Sequence, residues 1–572
     1  VKVVTTLRIR NRLLIWFIAC LLLTIVFAPA SLGKNDIMPV DLVKPGMKGY
    51  GLTVFSGTKV ERFNVKVIEV IKSSNWDKMI IVKLSGKKLI ENGGLAAGMS
   101  GSPVYINNKL IGAISYGFPN ADPLLALITP IDTMLDIYRQ AAKQKSNIET
   151  AGLSEIKLRS NYISKMTPVP VATPVIVTGM SQRSYELLKQ TLNTNGIEVF
   201  AISGNNNNNP EEDNLSNLKP GKLKPGSAIA VAMVSGDFQV AATGTVTWVD
   251  NDHFLAFGHP FINRGAVDFL VSEAQVLHVV NSRVMSYKVG VPLQPMGRVY
   301  QDRPAGILGI LRELPEMIDV AVKIRDCDRE LDYTSNFQVV SLEDLYRKFI
   351  VAGTINAIDK AIARKGAGTA RVYFEVETDN EDASITRENF FSATDIATAC
   401  VKDIDRYLEL ITTNEFNEVK IKKLRIDIEI DSLQKTARLI EVTSEKTKLK
   451  PGETAVVSVT TRTHRESDFK TSFKVTIPEN LAPGKMLLTF YGSSQGEEKD
   501  SEEKKHVIRK KINSFSELIK EYLDTPKNNE LVLEYQPTTE EKEEQELSPV
   551  IIKVPTQYHL TGEVHIVLEV VK

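Results

Sequence analysis

The chain has little cysteine, no net charge, and no motif of the kind that holds a metal ion or a phosphate. Cys20, Cys327 and Cys400 are its three cysteines. A disulfide framework needs an even set at regular spacing. Cys20 lies in a segment expected to be removed, and Cys327 and Cys400 are far apart, so they are expected to be two buried thiols. An odd disulfide is the alternative. Lys plus Arg number 70 and Asp plus Glu number 70, giving a formal charge of zero. That balance offers no basic footprint for nucleic acid. There is no His-Glu-x-x-His pair, and the cysteines are too sparse for zinc. "RKGAGTAR" at 364–371 falls short of a phosphate-cradling loop and reads as a turn after a helix. No cofactor is expected.

What is present is ordinary globular material in quantity. The 572 residues, 43% apolar and 24% charged, are too many for one core and imply about three to five units. Residues 1–30 have a basic flank (Lys2, Arg8, Arg10, Arg12) and then an apolar run from Leu13 to Phe27. The run is shorter than a comfortable membrane span. Small residues follow at Ala28-Pro29-Ala30, the spacing of a cleaved signal peptide. An uncleaved anchor is the alternative. Either way the expected location is secreted or periplasmic, at the cell envelope. Cys20 sits mid-run and does not suit lipidation.

The remainder reads as mainly β. Residues 31–145 carry short β-branched runs such as "FNVKVIEVI" and "KMIIVKL", with a hairpin at Asn107-Asn108 and a helix from Pro130 to Arg139. Residues 146–223 read as a connecting α/β segment, with a helix over Ser181–Leu192 and a solvated loop at the five asparagines 205–209. A second strand-rich block spans 224–341. Its opening "KPGSAIAVAMVSGD" echoes "KPGMKGYGLTVFSGT" at Lys44, as two related halves would. Residues 342–432 read as an α+β domain, 433–512 as a β-sandwich of the immunoglobulin type, and 513–572 as a helix/strand tail. The charge runs at 498–512 and 538–546 read as solvated loops.

Gly98-Met99-Ser100-Gly101-Ser102-Pro103 is the sharpest local feature. A serine between glycines on a tight turn exposes its hydroxyl, and such a turn can aim the N–H groups of Gly98 and Ser100 at one point as an oxyanion hole. Gly-x-Ser-Gly also occurs in plain loops. A nucleophilic serine needs a base. Of the seven histidines, His464, His506, His559 and His565 lie in the C-terminal units, and His253 and His278 fall in alternating strand patterns. His259 stands apart in "HFLAFGHPF", at a strand end between Gly258 and Pro260. It suits a base, and equally a structural turn.

Beyond these local features, "LIENGGLAAGMSGSPVYINNKLIGAISYGF" resembles the serine segment of the SpoIVB peptidase family, within the chymotrypsin-like clan. "ATGTVTWVDNDHFLAFGHPF" is similar to that family's histidine segment, and "GRVYQDRPAGILGIL" to the stretch that follows it. The resemblance covers about residues 38–140 and 225–325. It implies two six-stranded β-barrels, with Ser100 as nucleophile and His259 as base in the cleft between them. Two departures stand out. The serine half precedes the histidine half, a permuted order that a site assembled across a cleft tolerates. The position matching the family's acid is Ser85, which cannot carry the negative charge that orients the base. Asp302, in "YQDRP", follows His259 at about the His-to-Asp interval of chymotrypsin-type enzymes and is the preferred replacement. Asp250 and Asp268 are nearer in sequence, and a Ser–His dyad stays open.

The expected function is that of a secreted serine endopeptidase that hydrolyses peptide bonds through an acyl-enzyme on Ser100. Its partners are a protein or peptide substrate and the bacterial membrane or cell envelope, and not nucleic acid. The rival expectation is a catalytically inactive peptidase fold acting as a binding or scaffold module; a third is envelope or carbohydrate binding through the sandwich alone. For the N-terminal segment, intact-mass measurement on chain exported by a bacterial host is expected to give a mature N-terminus near Ser31. Retention of Arg8 to Arg12 would mark an anchor instead.

Overall fold

A computed structural model describes residues 36–71, 78–118, 120–145, 169–171, 175–194, 199–201, 222–479, 481, 483–492, 512–535 and 549–571. The expected signal segment with Cys20, the asparagine run, and the charge runs apart from residue 512 lie outside them. The chain is mainly β, as its short β-branched runs imply.

The first unit is a closed barrel of six antiparallel strands. Its strands are β1 (Lys48–Val54), β2 (Val60–Ile71), β3 (Met79–Ser85), β4 (Pro103–Ile106), β5 (Lys109–Gly117) and β6 (Leu125–Pro130). β1 pairs β2 and β4, β3 pairs β2 and β6, and β5 pairs β4 and β6, which closes the ring. The pleat explains the sequence pattern. In β2, Phe63, Val65 and Val67 turn inward while Arg62, Asn64 and Lys66 face water. The β4–β5 hairpin turns on Asn107 and Asn108, both with positive φ (49° and 60°), the conformation that tight hairpins with asparagine favour. Helix α1 (Ile131–Lys145) follows, longer than expected by one turn and more.

A two-residue strand, β7 (Val169–Pro170), lies antiparallel on the end of β5. Part of the expected connecting α/β segment then appears as a strand (Val175–Thr178) and a helix (Gln182–Thr194).

The second barrel contains β8 (Ala228–Gly236), β9 (Gln239–Asp250), β10 (His253–Ala256), β11 (Gly265–Val280), β12 (Ser286–Arg303) and β13 (Gly306–Leu311). Its ring runs β8-β9-β10-β13-β12-β11 and back to β8. Each barrel enters through the same turn. Gly46 and Gly226 have φ of 85° and 91°, and their N–H groups donate to Val67 in β2 and Val246 in β9. The repeated Lys-Pro-Gly is this turn.

Two expected boundaries move. Residues 317–340 do not belong to the second barrel. Met317–Asp326 and Leu331–Val340 pair with each other, and the former pairs in parallel with Ile421–Asp431. That sheet extends through Gly368–Thr378 and Ile385–Ala393, and carries the helices Tyr346–Ile362 and Lys402–Thr413. The sandwich, likewise, does not end at 512. One sheet takes His559–Thr561, and the other takes Glu530–Tyr535, Val550–Pro555 and Glu563–Val570 beside Gly484–Tyr491. The intervening helix, Phe515–Asp524, packs Phe515, Ile519 and Tyr522 into the core of the α+β unit. The cysteine expectation holds in part: both thiols are free, but Cys327 is exposed and Cys400 alone is buried.

The revised sandwich boundary is testable, because Leu533 is fully buried in its core. Leu533→Ala is expected to cost about 2–5 kcal/mol in chemical denaturation. A loss within about 0.5 kcal/mol, the range of surface positions, would place that strand outside the core.

Candidate active site

The serine turn is shaped by local bonds and then held by the other barrel. Met99 N–H donates to Ala96 at 2.9 Å, and Ser102 N–H to Met99 at 2.9 Å. Gly101 N–H donates to Ile114 in β5 at 2.7 Å. The N–H of Ser100 is not among these bonds. Gly98 and Gly101 have φ of 91° and 89°, the left-handed region that favours glycine. At Gly101 a side chain is also excluded by space, since a Cβ would overlap the Thr245 carbonyl and lie 2.5 Å from the Phe257 nitrogen.

Three bonds from β9 complete the turn. Thr245 N–H donates to the Ser100 carbonyl at 2.8 Å and its hydroxyl to the Gly98 carbonyl at 3.0 Å. Thr247 donates its hydroxyl to the Gly101 carbonyl at 2.8 Å. All are buried, where an unmade partner would cost about 1–3 kcal/mol.

The histidine loop is held in the opposite sense. Thr129 of β6 donates to the Gly258 carbonyl at 2.6 Å, and Gly258 lies against Ala113 and Ser115 of β5. Phe257 adopts φ of 69°, a left-handed conformation that costs a bulky residue roughly 1–3 kcal/mol and persists only where the surroundings enforce it. The structure thus carries the Ser100 turn and the His259 loop against one strand, β5. Ser100 is 0% exposed and His259 2%. Among the described residues, neither Ser100 Oγ nor His259 Nε2 has a hydrogen-bond partner.

Two rings flank the imidazole, with Phe257 at 5.9 Å and Tyr116 at 6.2 Å between centroids. Its Nδ1 lies 2.7 Å from the Pro260 carbonyl. A carbonyl oxygen can only accept, so Nδ1 carries the proton and Nε2 keeps its lone pair. Burial lowers the His259 pKa to about 4, against weaker raising effects of the Pro260 carbonyl and the Val171 backbone. The Val171 contact does not reach hydrogen-bond geometry at Nε2.

Asp302 does not orient His259, contrary to expectation. Its carboxylate accepts from the N–H groups of Phe261 (2.7 Å), Ile262 (2.8 Å) and Arg264 (3.4 Å). It therefore fastens the loop just beyond the histidine. Burial raises its pKa, and the same N–H groups oppose that rise. Ser85 is exposed at the end of β3. Asp268 pairs with Arg298 at 3.0 Å and also accepts from Glu316 N–H. The described bond of Asp250 is with Asn251 beside it.

Several residues that build the site lacked an obvious sequence signal. Thr245 and Thr247 fall on alternate positions of "TGTVT", on the face turned to the first barrel, where paired hydroxyls ask for partners. Lys288 is the less expected one. It is fully buried, stacks its stem on Gly98, and donates from Nζ to Thr53 at 2.8 Å. Burial lowers its pKa to about 7. Its signal is register: in "SYKVG" it shares the inward face with Ser286 and Gly290.

Two closed six-stranded barrels, with a glycine-flanked serine turn on one and a histidine loop from the other laid against it, make up a chymotrypsin-like fold. Residues 34–135 match the family model of the SpoIVB peptidase S55 family, a stretch that covers the first barrel and Ser100. No curated protein and no solved structure matches the chain.

The Asp302 assignment has a readout that a purely catalytic role would not give. Asp302→Asn replaces one accepting oxygen by an amide that faces backbone donors. It is expected to lower stability by about 1–3 kcal/mol in denaturant unfolding. Unchanged stability would show that the carboxylate does not fasten the loop.

Proposed function

We propose that the chain is a serine endopeptidase that cleaves peptide bonds with Ser100 as nucleophile and His259 as base. One observation carries the reading. Ser100 Oγ and His259 Nε2 are both buried and without a hydrogen-bond partner, each other included, on two turns that are each fastened by the opposite barrel. Buried polar atoms are normally satisfied, and a peptide undergoing acyl transfer would engage both.

In this mechanism Nε2 accepts the Ser100 proton as Oγ attacks the scissile carbonyl, and the N–H groups of Gly98 and Ser100 receive the oxyanion. The imidazolium returns its proton to the leaving amine. Water then repeats the sequence on the acyl-enzyme and releases the second product. The Pro260 carbonyl takes the place of the triad acid. It fixes the tautomer, yet as a neutral acceptor it stabilises the imidazolium about half as strongly as a carboxylate. Slow turnover follows. The leader-like residues 1–30 support export, which would put the site at the cell envelope facing protein or peptide substrates.

A second reading takes its support from the same carbonyl: without a carboxylate, the fold would serve binding alone. A fluorophosphonate probe separates the two. Labelling of the wild-type chain is expected, absent in Ser100→Ala and slowed about 10²-fold or more in His259→Ala. Labelling that is equal in all three would remove Ser100 from the reaction. Because only the neutral imidazole acts as base, the labelling rate is expected to hold as pH falls through 6 and to drop near pH 4. A midpoint at the ordinary histidine value near 6.5 would contradict the buried, neutral His259.

A further inference from the structure

Peptides bind sheet edges by adding a strand, with main-chain bonds for affinity and pockets for alternate side chains. The edge of β5 beside the serine turn, from Ser115 to Gly117, is such an edge, since β4 pairs with β5 only as far as Ala113. The edge is occupied. Gly117 pairs with Val169 and Tyr116 with Pro170, antiparallel, and Val171 N–H donates to the Ser115 carbonyl at 2.8 Å.

The occupant's register is specific. Val169 and Pro170 are exposed, while Val171 is 0% exposed. The Val171 side chain enters a niche formed by Leu95, Met285 and Gly117. A Cβ at Gly117 would lie 2.9 Å from Leu95, 3.4 Å from Met285 and 3.7 Å from Val171. Beside that niche a cavity of about 200 Å³ continues, lined in part by Leu95, Phe118, Pro123 and Met285. The Val171 backbone faces the His259 ring, and Tyr116, one of the rings that flank it, belongs to the same edge. An extended segment thus lies along the edge, with Val171 beside the histidine and its side chain in an apolar niche walled by Leu95, five residues before Ser100.

We propose that Val169–Val171 is an intramolecular ligand of the Ser100–His259 groove, bound as a peptide substrate would bind and blocking it. This rests on the peptidase reading for the role of the groove, though not for its occupancy. It also names the substrate class: an extended peptide with a small apolar residue in the niche and proline before it. A strand tethered in cis competes at millimolar effective concentration, so an external peptide meets a groove that is mostly filled.

The test uses the full chain and a fluorescent peptide carrying Val-Pro-Val, read by anisotropy, with fluorophosphonate labelling as a separate readout. Val171→Asp places a charge in the apolar niche. Val169→Pro removes an N–H at the Gly117 pair from an exposed position and leaves the cores untouched. Both variants are expected to bind the peptide at least about tenfold more tightly than wild type and to label at least about tenfold faster. Circular dichroism melts identify a variant that fails to fold, and Val169→Pro then decides alone. Unchanged peptide affinity would overturn the proposal and leave 169–171 as a packed connection. Tighter peptide binding without any Ser100 labelling would retain the occupied groove and overturn the peptidase reading instead.

Discussion

The site depends on an exchange of hydrogen bonds between the two barrels. Thr245 and Thr247 of the second barrel hold the carbonyls of Gly98, Ser100 and Gly101, while Thr129 of the first holds the carbonyl of Gly258. Each barrel thereby fixes the turn that the other contributes. Neither turn has regular secondary structure to satisfy its carbonyls, and all of these groups are buried. The left-handed Phe257 and the close approach of Gly101 to Thr245 both follow from this clasp. Pairing two barrels edge to edge would not position a hydroxyl and an imidazole; fastening their loops reciprocally does.

Charge is arranged around the site by exclusion. The imidazole is buried between aromatic rings with the Pro260 carbonyl at its Nδ1, and burial favours the neutral form. Asp302, a buried carboxylate on β12, accepts from the backbone N–H groups of the loop beyond the histidine. Lys288, whose stem lies against Gly98 of the serine turn, has a hydroxyl for its partner and is likewise pushed toward its neutral form. A site built this way keeps its reacting groups uncharged at rest, and any charge it handles is created during reaction.

The strands were legible because one-sided burial writes an alternation into the sequence, as in β2, and because turns write glycine and asparagine, as at Asn107-Asn108. The serine turn was legible for the same reason: its glycines are demanded by backbone geometry. The sandwich boundary was not. Strands that complete a sheet across a long insertion carry the same alternation as any other, and the charged stretch before Phe515 reads like an end. The role of Asp302 was misread because an interval along the chain says nothing about where a carboxylate points; the nearest donors were backbone N–H groups, which no residue letter announces. Lys288 was passed over because a lysine in a strand ordinarily faces water.

Strand β8 belongs to two bodies. Its first part closes the second barrel against β9 and β11, and its last residues, Val234 to Gly236, pair with Leu331–Val340 of the following sheet. A strand shared in this way acts as a splint. The sheet and the barrel cannot swivel about a linker as independent domains do, and a load applied to the C-terminal half is borne directly by the wall that holds the histidine loop.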